Sequence, residues 1–442
     1  MLKDLRLNRN QRGVTVVLVA ILMVVFLGFA ALAVDISHLY VVRNELQNAA
    51  DAGALAGARV LYNNEGTAVN PGANQVGHDA AEANRSENTP VEVNWIGGNE
   101  GDVQRGHWSF GIGSLPRGFY FNDSLLPVDL WNATTQELDQ NLNFINAVKV
   151  TTRREATPAA SFFARIFGYQ NFPVNAEAVA YIGFAGTITP WTLDQPIAIC
   201  QQAVLNDDGE YDCSTGRMIN SGGQGETHNT AAWTNLSQPC STANVPSVRP
   251  LVCGEGNPAP VYLGNGIGAV NGMQTTVFNQ FRDCWTRGLY DTDGDNIPDT
   301  PIDTDGDGIP DQPWKITLPV VCCGDYSNGI CTDTLTVGNC MVVLGAVEIQ
   351  VLWITESGTG QVTVPRRMGN WSCPSGTDTE CWNSFIGPIE QGGFNLRNWD
   401  GSPAQLQQKS IYIKPDCIPH IPEGNTGGQN FGILARIPAL VK

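Results

Sequence analysis

The most specific chemistry in the sequence lies in two acidic units. Asp291, Asp293, Asp295 and Asp299 are followed by Asp303, Asp305, Asp307 and Asp311, corresponding residues lying twelve apart. Each unit places carboxylates at positions 1, 3, 5 and 9 and an isoleucine, Ile297 or Ile309, at position 7. Ca2+ takes about six to eight oxygen ligands at roughly 2.3–2.6 Å. Alternate residues of a tight loop aim several carboxylates inward, and Gly294 and Gly306 permit the sharp turn. The backbone carbonyls of Ile297 and Ile309 supply neutral ligands at position 7. Without a cation, carboxylates this close repel one another; the alternative is a solvated acidic linker. Ca2+ is therefore the expected cofactor, in a structural, domain-orienting role. Position 12 is Ile302 or Trp314 rather than Glu, and no flanking helices are evident, so the units are not EF-hands. The turn formed by Asn206, Asp207, Asp208, Gly209 and Glu210 is a weaker candidate for a third site.

Such loops need a compartment, and the cysteines indicate one. All 12 lie between Cys200 and Cys417, an even number, with no C-x-x-C pair that would favour zinc. Disulfides in an exported region are expected. Adjacent Cys322 and Cys323 are expected to pair with different distant partners; a vicinal disulfide is the alternative. The route out of the cytoplasm is residues 14–34, an uncharged apolar stretch. At about 1.5 Å per residue it covers roughly 30 Å, a bilayer core. It is longer than the ~7–15-residue core of a cleaved signal, although Ala30 and Ala33 imitate a cleavage site. Lys3, Arg6, Arg9 and Arg12 precede it and Asp35 follows it, which predicts a single-pass protein with a cytoplasmic N-terminus and an exported C-terminal region.

Beyond the membrane, Leu39, Val42, Leu46, Ala49, Gly53, Ala56 and Val60 form a narrow apolar seam on one helical face. It either packs on the protein's own domain or mediates assembly between subunits, which leaves a homo-oligomer open. Asn63 to Gly66 ends the pattern. The seam, with Arg12-Gly13, Asp35, Leu39-Tyr40, Arg43, Leu46-Gln47, Ala49-Ala50-Asp51-Ala52 and Ala54-Leu55-Ala56-Gly57-Ala58, resembles the N-terminal signature of TadE/TadG-like proteins of the tight-adherence (Flp) pilus assembly system. A weaker resemblance extends through Ala185. It implies an inner-membrane or periplasmic component of a pilus or secretion apparatus, with the 35–62 helix docking on other pilus-assembly proteins. Pilin-like members are cleaved after a glycine and carry Glu five residues on; here that residue is Leu18, which argues against prepilin processing. Asp35-Ile36-Ser37-His38-Leu39 lacks the final serine of the D-x-S-x-S metal motif of von Willebrand A-type domains and is not read as a metal site. The paired Asp units resemble thrombospondin type 3-like calcium repeats, in which an acidic residue of the following repeat completes a site; Asp303 is placed to do so.

The expected fold is α+β. Residues 1–13 form a basic cytoplasmic leader, 14–34 the membrane helix and 35–62 its Ala-rich extension. Residues 63–185 form a small α+β domain, and 186–442 an irregular, disulfide-rich β domain with the calcium loop at 291–311. Residues 91–95, 108–110, 147–151 and 174–185 read as strands, and Thr157 and Pro158 as the start of a helix reaching Phe167 and stopped by Gly168. Past residue 186 strands are expected at 261–263, 316–318, 342–355 and 411–413, without helical periodicity. No G-x-S-x-G, H-E-x-x-H or G-x-x-x-x-G-K occurs, and the five His are scattered, which disfavours an enzyme. A net charge of −18 disfavours nucleic acid. Two functions remain: a non-enzymatic pilus-apparatus component, or a cell-surface adhesin on a TadG-like anchor.

Overall fold

The structure, a computed structural model, describes residues 11–63, 68–126, 128, 130, 133–206, 208–220, 231–254, 256–270, 275–287, 313–327, 330–331, 340–355, 363–368, 371–374, 376–398, 400–416 and 424–442. The fold is mixed α+β, with a long apolar helix at the N-terminus and a disulfide-rich β region. The apolar stretch and its Ala-rich extension form one helix, α1, Gln11–Arg59. Its apolar half is long enough to cross a membrane, and none of it is covered by the rest of the chain. From Asp35 onward one face is buried.

That face carries Val42, Leu46, Ala49, Ala50, Ala54 and Ala58, all fully buried, and Leu61 just beyond the helix end is buried with them. Burying Val42 and Leu46 contributes about 1.5–3 kcal/mol each. The seam begins as expected but moves sideways, because a straight helix of 3.6 residues per turn drifts from a 3.5-residue repeat. The buried stripe therefore passes to Ala54, Gly57 and Ala58, leaving Ala56 and Val60 half-buried. It is covered by the chain's own five-stranded sheet and by helix α2, Ala73–Glu82.

The sheet runs in the order Ala439–Leu440, Asn171–Tyr181, Ala147–Ala160, Val103–Ser109, Gly118–Phe121. Alternate residues Val148, Val150 and Thr152 of its longest strand are buried against the helices, and Thr152 Oγ1 donates to the Leu46 carbonyl at 2.8 Å. The expected strand at 91–95 is a single bridge, Glu92 to Arg153, because the flanking amides bond elsewhere, that of Val91 to the Asn84 carbonyl and that of Asn94 to the Asp102 carboxylate. The expected helix from Thr157 is also corrected. The strand continues to Ala160, and only Ala164–Phe167 turns, as one 3-10 turn closed by Gly168 at φ 95°. Thr157 donates its amide and its hydroxyl to Glu92, and its hydroxyl oxygen accepts from Arg154 Nε at 3.1 Å, so the side chain is committed within the strand rather than to a helix N-terminus. The stretch 174–185 divides into strands Asn171–Tyr181 and Phe184–Ile188.

The later region is more regular than its composition indicates. Eight strands pair in the order Gly266–Val270, Ala231–Thr234, Ile197–Cys200, Trp314–Val321, Cys340–Ile354, Ser410–Pro415, Gly216–Asn220, Leu396–Arg397. Gly266–Val270 also pairs with the start of Cys340–Ile354, so the first five strands close a ring. Among the described residues three α-helices, the short Val245–Val248 and the longer Thr275–Arg287 and Asp378–Phe385, correct the expectation of none. Cys200–Cys323, Cys240–Cys340, Cys253–Cys284, Cys322–Cys331 and Cys373–Cys381 are disulfides, and Cys213 is also bonded. The adjacent cysteines thus have separate partners, Cys323 a distant one and Cys322 a near one. The final strand returns to the first sheet, where the Lys442 ammonium lies 2.6 Å from Glu177.

The contact of α1 with α2 depends on glycine. A Cβ on Gly53 would stand 2.7 Å from the Gly77 carbonyl oxygen and 2.8 Å from Ala81 Cβ. A helix normally gains up to about 1 kcal/mol from Gly→Ala, but overpacking here costs about 1–3 kcal/mol. Gly53→Ala should therefore lower the melting temperature of the detergent-solubilised chain. Gly28→Ala, at a position with nothing within 4 Å, should not.

Candidate functional site

The ten expected calcium ligands, Asp291, Asp293, Asp295, Ile297, Asp299, Asp303, Asp305, Asp307, Ile309 and Asp311, lie outside the described residues. The segment that holds them joins helix Thr275–Arg287 to strand Trp314–Val321. A helix thus precedes the repeats and a strand follows, unlike the two helices of an EF-hand. Among the described residues no group of three His, Cys, Asp or Glu side chains is arranged to hold a metal. The turn at 206–210 uses the Asn206 side-chain oxygen internally, to accept from the Asp208 amide at 3.0 Å and the Glu210 amide at 2.9 Å.

The arrangement that the described residues do build lies where α1 leaves its apolar stretch. Asp35 is buried, and its carboxylate is saturated by backbone rather than open to a metal. Oδ1 accepts from the Phe162 amide at 2.7 Å, and Oδ2 from those of Phe163 at 3.1 Å and Ala164 at 2.6 Å. These are orphan donors at the start of the 3-10 turn, and an anion there is favourable. Burial alone would raise the Asp35 pKa. The Phe162, Ala164 and Phe163 amides and neighbouring His38 outweigh it and hold the carboxyl below its ordinary range. One turn further on, His38 Nε2 contacts the Glu87 carboxylate, and its ring meets Phe162 edge-on at 4.8 Å.

A second carboxylate shapes the strand that leads to this junction. Glu92 accepts from the amides of Glu155 (2.9 Å), Ala156 (2.8 Å) and Thr157 (2.8 Å) and from the Thr157 hydroxyl (2.7 Å). This is where pairing between Ala147–Ala160 and Asn171–Tyr181 is interrupted, between Arg154 and Ala159. Neighbouring Arg153 clamps Asp102 through Nε and Nη2 at 2.7–3.0 Å. His107 is buried with its ring nitrogens 2.8 Å and 2.7 Å from the carbonyls of Phe144 and Asp139, a structural placement. Half-buried His78 contacts Asp79 at 3.0 Å.

The roles of Asp35 and Glu92 escape sequence reading. Asp35 is visible as the first charge after the apolar run and as part of the family signature, but not as an acceptor for a distant hairpin, and Glu92 only as a polar residue in an alternating stretch. The seam on α1, one candidate face for assembly partners, is occupied by the chain's own sheet. Chemically the junction is a fastening: it fixes a helix to a hairpin end.

Burial raises the pKa of Glu92, but its Thr157 hydroxyl and backbone donors prevail and lower it from 4.5 to about 2. A depressed carboxyl contributes stability that is complete above its unfolded value and is lost as pH falls through the folded one. Thermal melts between pH 5 and 2 should therefore show falling stability, and Glu92→Gln should flatten that slope.

Residues 13–60 match the Flp pilus-assembly TadE/G-like family, and residues 56–180 match the Tad-like Flp pilus-assembly family. No curated protein and no solved structure is significantly similar to the chain. The two matched regions meet within α1 and together take in the helix, its cover and every strand of the five-stranded sheet except Ala439–Leu440: the part of the chain in which the junction lies resembles Tad-type pilus-assembly proteins.

Proposed function

We propose that the chain is a non-enzymatic, membrane-anchored component of a Flp/Tad-type pilus assembly or secretion apparatus. One observation carries this reading: a single helix runs from a bare apolar stretch into the buried core of a domain that resembles Tad pilus-assembly proteins. Such a helix transmits position from the bilayer to the folded region without a hinge. Residues 14–34 cross the inner membrane once, with the basic leader in the cytoplasm and the remainder in the periplasm or at the cell surface. Disulfides suit that oxidising side. Since the buried face of the 35–62 helix is taken, other pilus-assembly proteins engage its outward face, where Val41, Asn44 and Asn48 are exposed.

The later β region acts as a scaffold or cap, stabilised by disulfides and by Ca2+ at 291–311. Calorimetric titration of the detergent-solubilised chain should show calcium binding with Kd of roughly 10⁻⁴–10⁻³ M, the range of extracellular modules. The double variant Asp293→Asn, Asp305→Asn should abolish it. No heat of binding at millimolar calcium would remove the metal from the account.

Deletion of the gene should abolish surface pili, and restoring the full chain should return them. Normal pili with lost surface attachment would instead support an adhesin on a Tad-like anchor.

A further inference from the structure

The end of the long hairpin exposes large apolar side chains at high density. Between strands Ala147–Ala160 and Asn171–Tyr181, Phe162 is 50% exposed, Ile166 75%, Phe167 79% and Tyr169 63%. Soluble surfaces scatter such residues singly; a cluster marks a surface that something covers. Its position in the fold says what covers it.

Contacts along α1 set the direction of the hairpin. Val148 lies against Gly57 and Val150 against Gly53. Thr152 bonds to Leu46, and the amides of 162–164 bond to Asp35. The strand thus descends α1 toward its apolar half, and the hairpin ends level with the first charge after residues 14–34. Val34 and Ile36, the neighbours of Asp35, are exposed apolar residues themselves, so the cluster continues the uncovered surface of the helix. Exposed Arg165 sits within the cluster. Aromatic rings at headgroup depth, with a cation that reaches lipid phosphate, match the chemistry of a bilayer interface.

We propose that the hairpin end 161–170 is a lipid-docking surface. Phe162, Ile166, Phe167 and Tyr169 enter the boundary between headgroups and acyl chains of the same leaflet from which α1 emerges. Asp35 holds the insertion at fixed depth by binding the hairpin backbone. Two points then grip the bilayer, the helix and the hairpin, and together they set the tilt of the domain. The inference rests on the reading of α1 as a membrane anchor.

The test places the photo-crosslinking residue p-benzoylphenylalanine at position 167 of the full chain, reconstituted in phosphatidylethanolamine–phosphatidylglycerol vesicles. The control position is Ile96, which is 90% exposed. It neighbours Gly98, to which Asn74 bonds beside Ala73, and Ala73 packs at Gly57, roughly 33 Å along the helix from Asp35. Irradiation and mass spectrometry should find phospholipid adducts at 167 and none at 96. A chain retained by the vesicles after alkaline carbonate, but without lipid adducts at 167, overturns the docking alone. So do adducts at 167 formed only with a second copy or another protein. A chain released by carbonate overturns the anchor, and the docking with it.

Discussion

One helix must serve two surroundings, an uncovered apolar stretch long enough to cross a membrane and a packed domain. The hydrogen bonds of α1 run without interruption from Gln11 to Arg59, while the surroundings change from open apolar surface to packed protein at Asp35. In hydrocarbon a backbone must satisfy its polar groups internally, which a helix does. In the domain the same helix must admit close neighbours, which the small residues from Ala49 to Ala58 allow. The rest of the first domain follows from this constraint. Gly53 and Gly77 let α2 approach, and Val148, Val150 and Thr152 fill the remaining face.

The carboxylates at the lower edge convert that packing into a fixed geometry. Asp35 and Glu92 each collect three consecutive backbone amides, one set beyond the end of the long strand and one set within it. Neither is available for a metal or for proton transfer while so engaged. Their effect is positional: Glu92 interrupts the pairing of the strand, and Asp35 receives the hairpin that results. At the opposite end of the chain, Ala439 and Leu440 pair with Tyr181 and Ala180, so the later β region is tied back to the same sheet. Load on the later region would therefore be felt at the helix by two routes.

The sequence made some of this legible and hid the rest for identifiable reasons. The membrane-length helix and its seam stood out because apolar periodicity is local. So did strand 147–151 and the stop at Gly168. The helix expected from Thr157 failed because a distant residue, Glu92, binds the amides of 155–157 and holds that stretch in the strand. The strand at 91–95 failed because its alternation records burial of Val91 and use of Glu92, not a ladder. Helix Thr275–Arg287 was readable in principle, since Val277, Phe278, Phe281, Cys284 and Trp285 follow a helical stripe. The low charge and high Gly content around it obscured that pattern. The eight-stranded sheet joins segments far apart in the chain, as in the pairing of Ile197–Cys200 with Trp314–Val321, and no single stretch announces its partner. The acidic repeats, the clearest chemical signal, fall outside the described residues, so their role rests on ligand chemistry.

Continuity of α1 across Asp35 is the claim on which the anchor, the junction and the hairpin depth all depend. Amide hydrogen exchange of the full chain in lipid nanodiscs measures it residue by residue. The account predicts slow exchange from the apolar stretch through Leu46, with no gap between residues 33 and 39. Rapid exchange confined to those residues would reveal a hinge and contradict it.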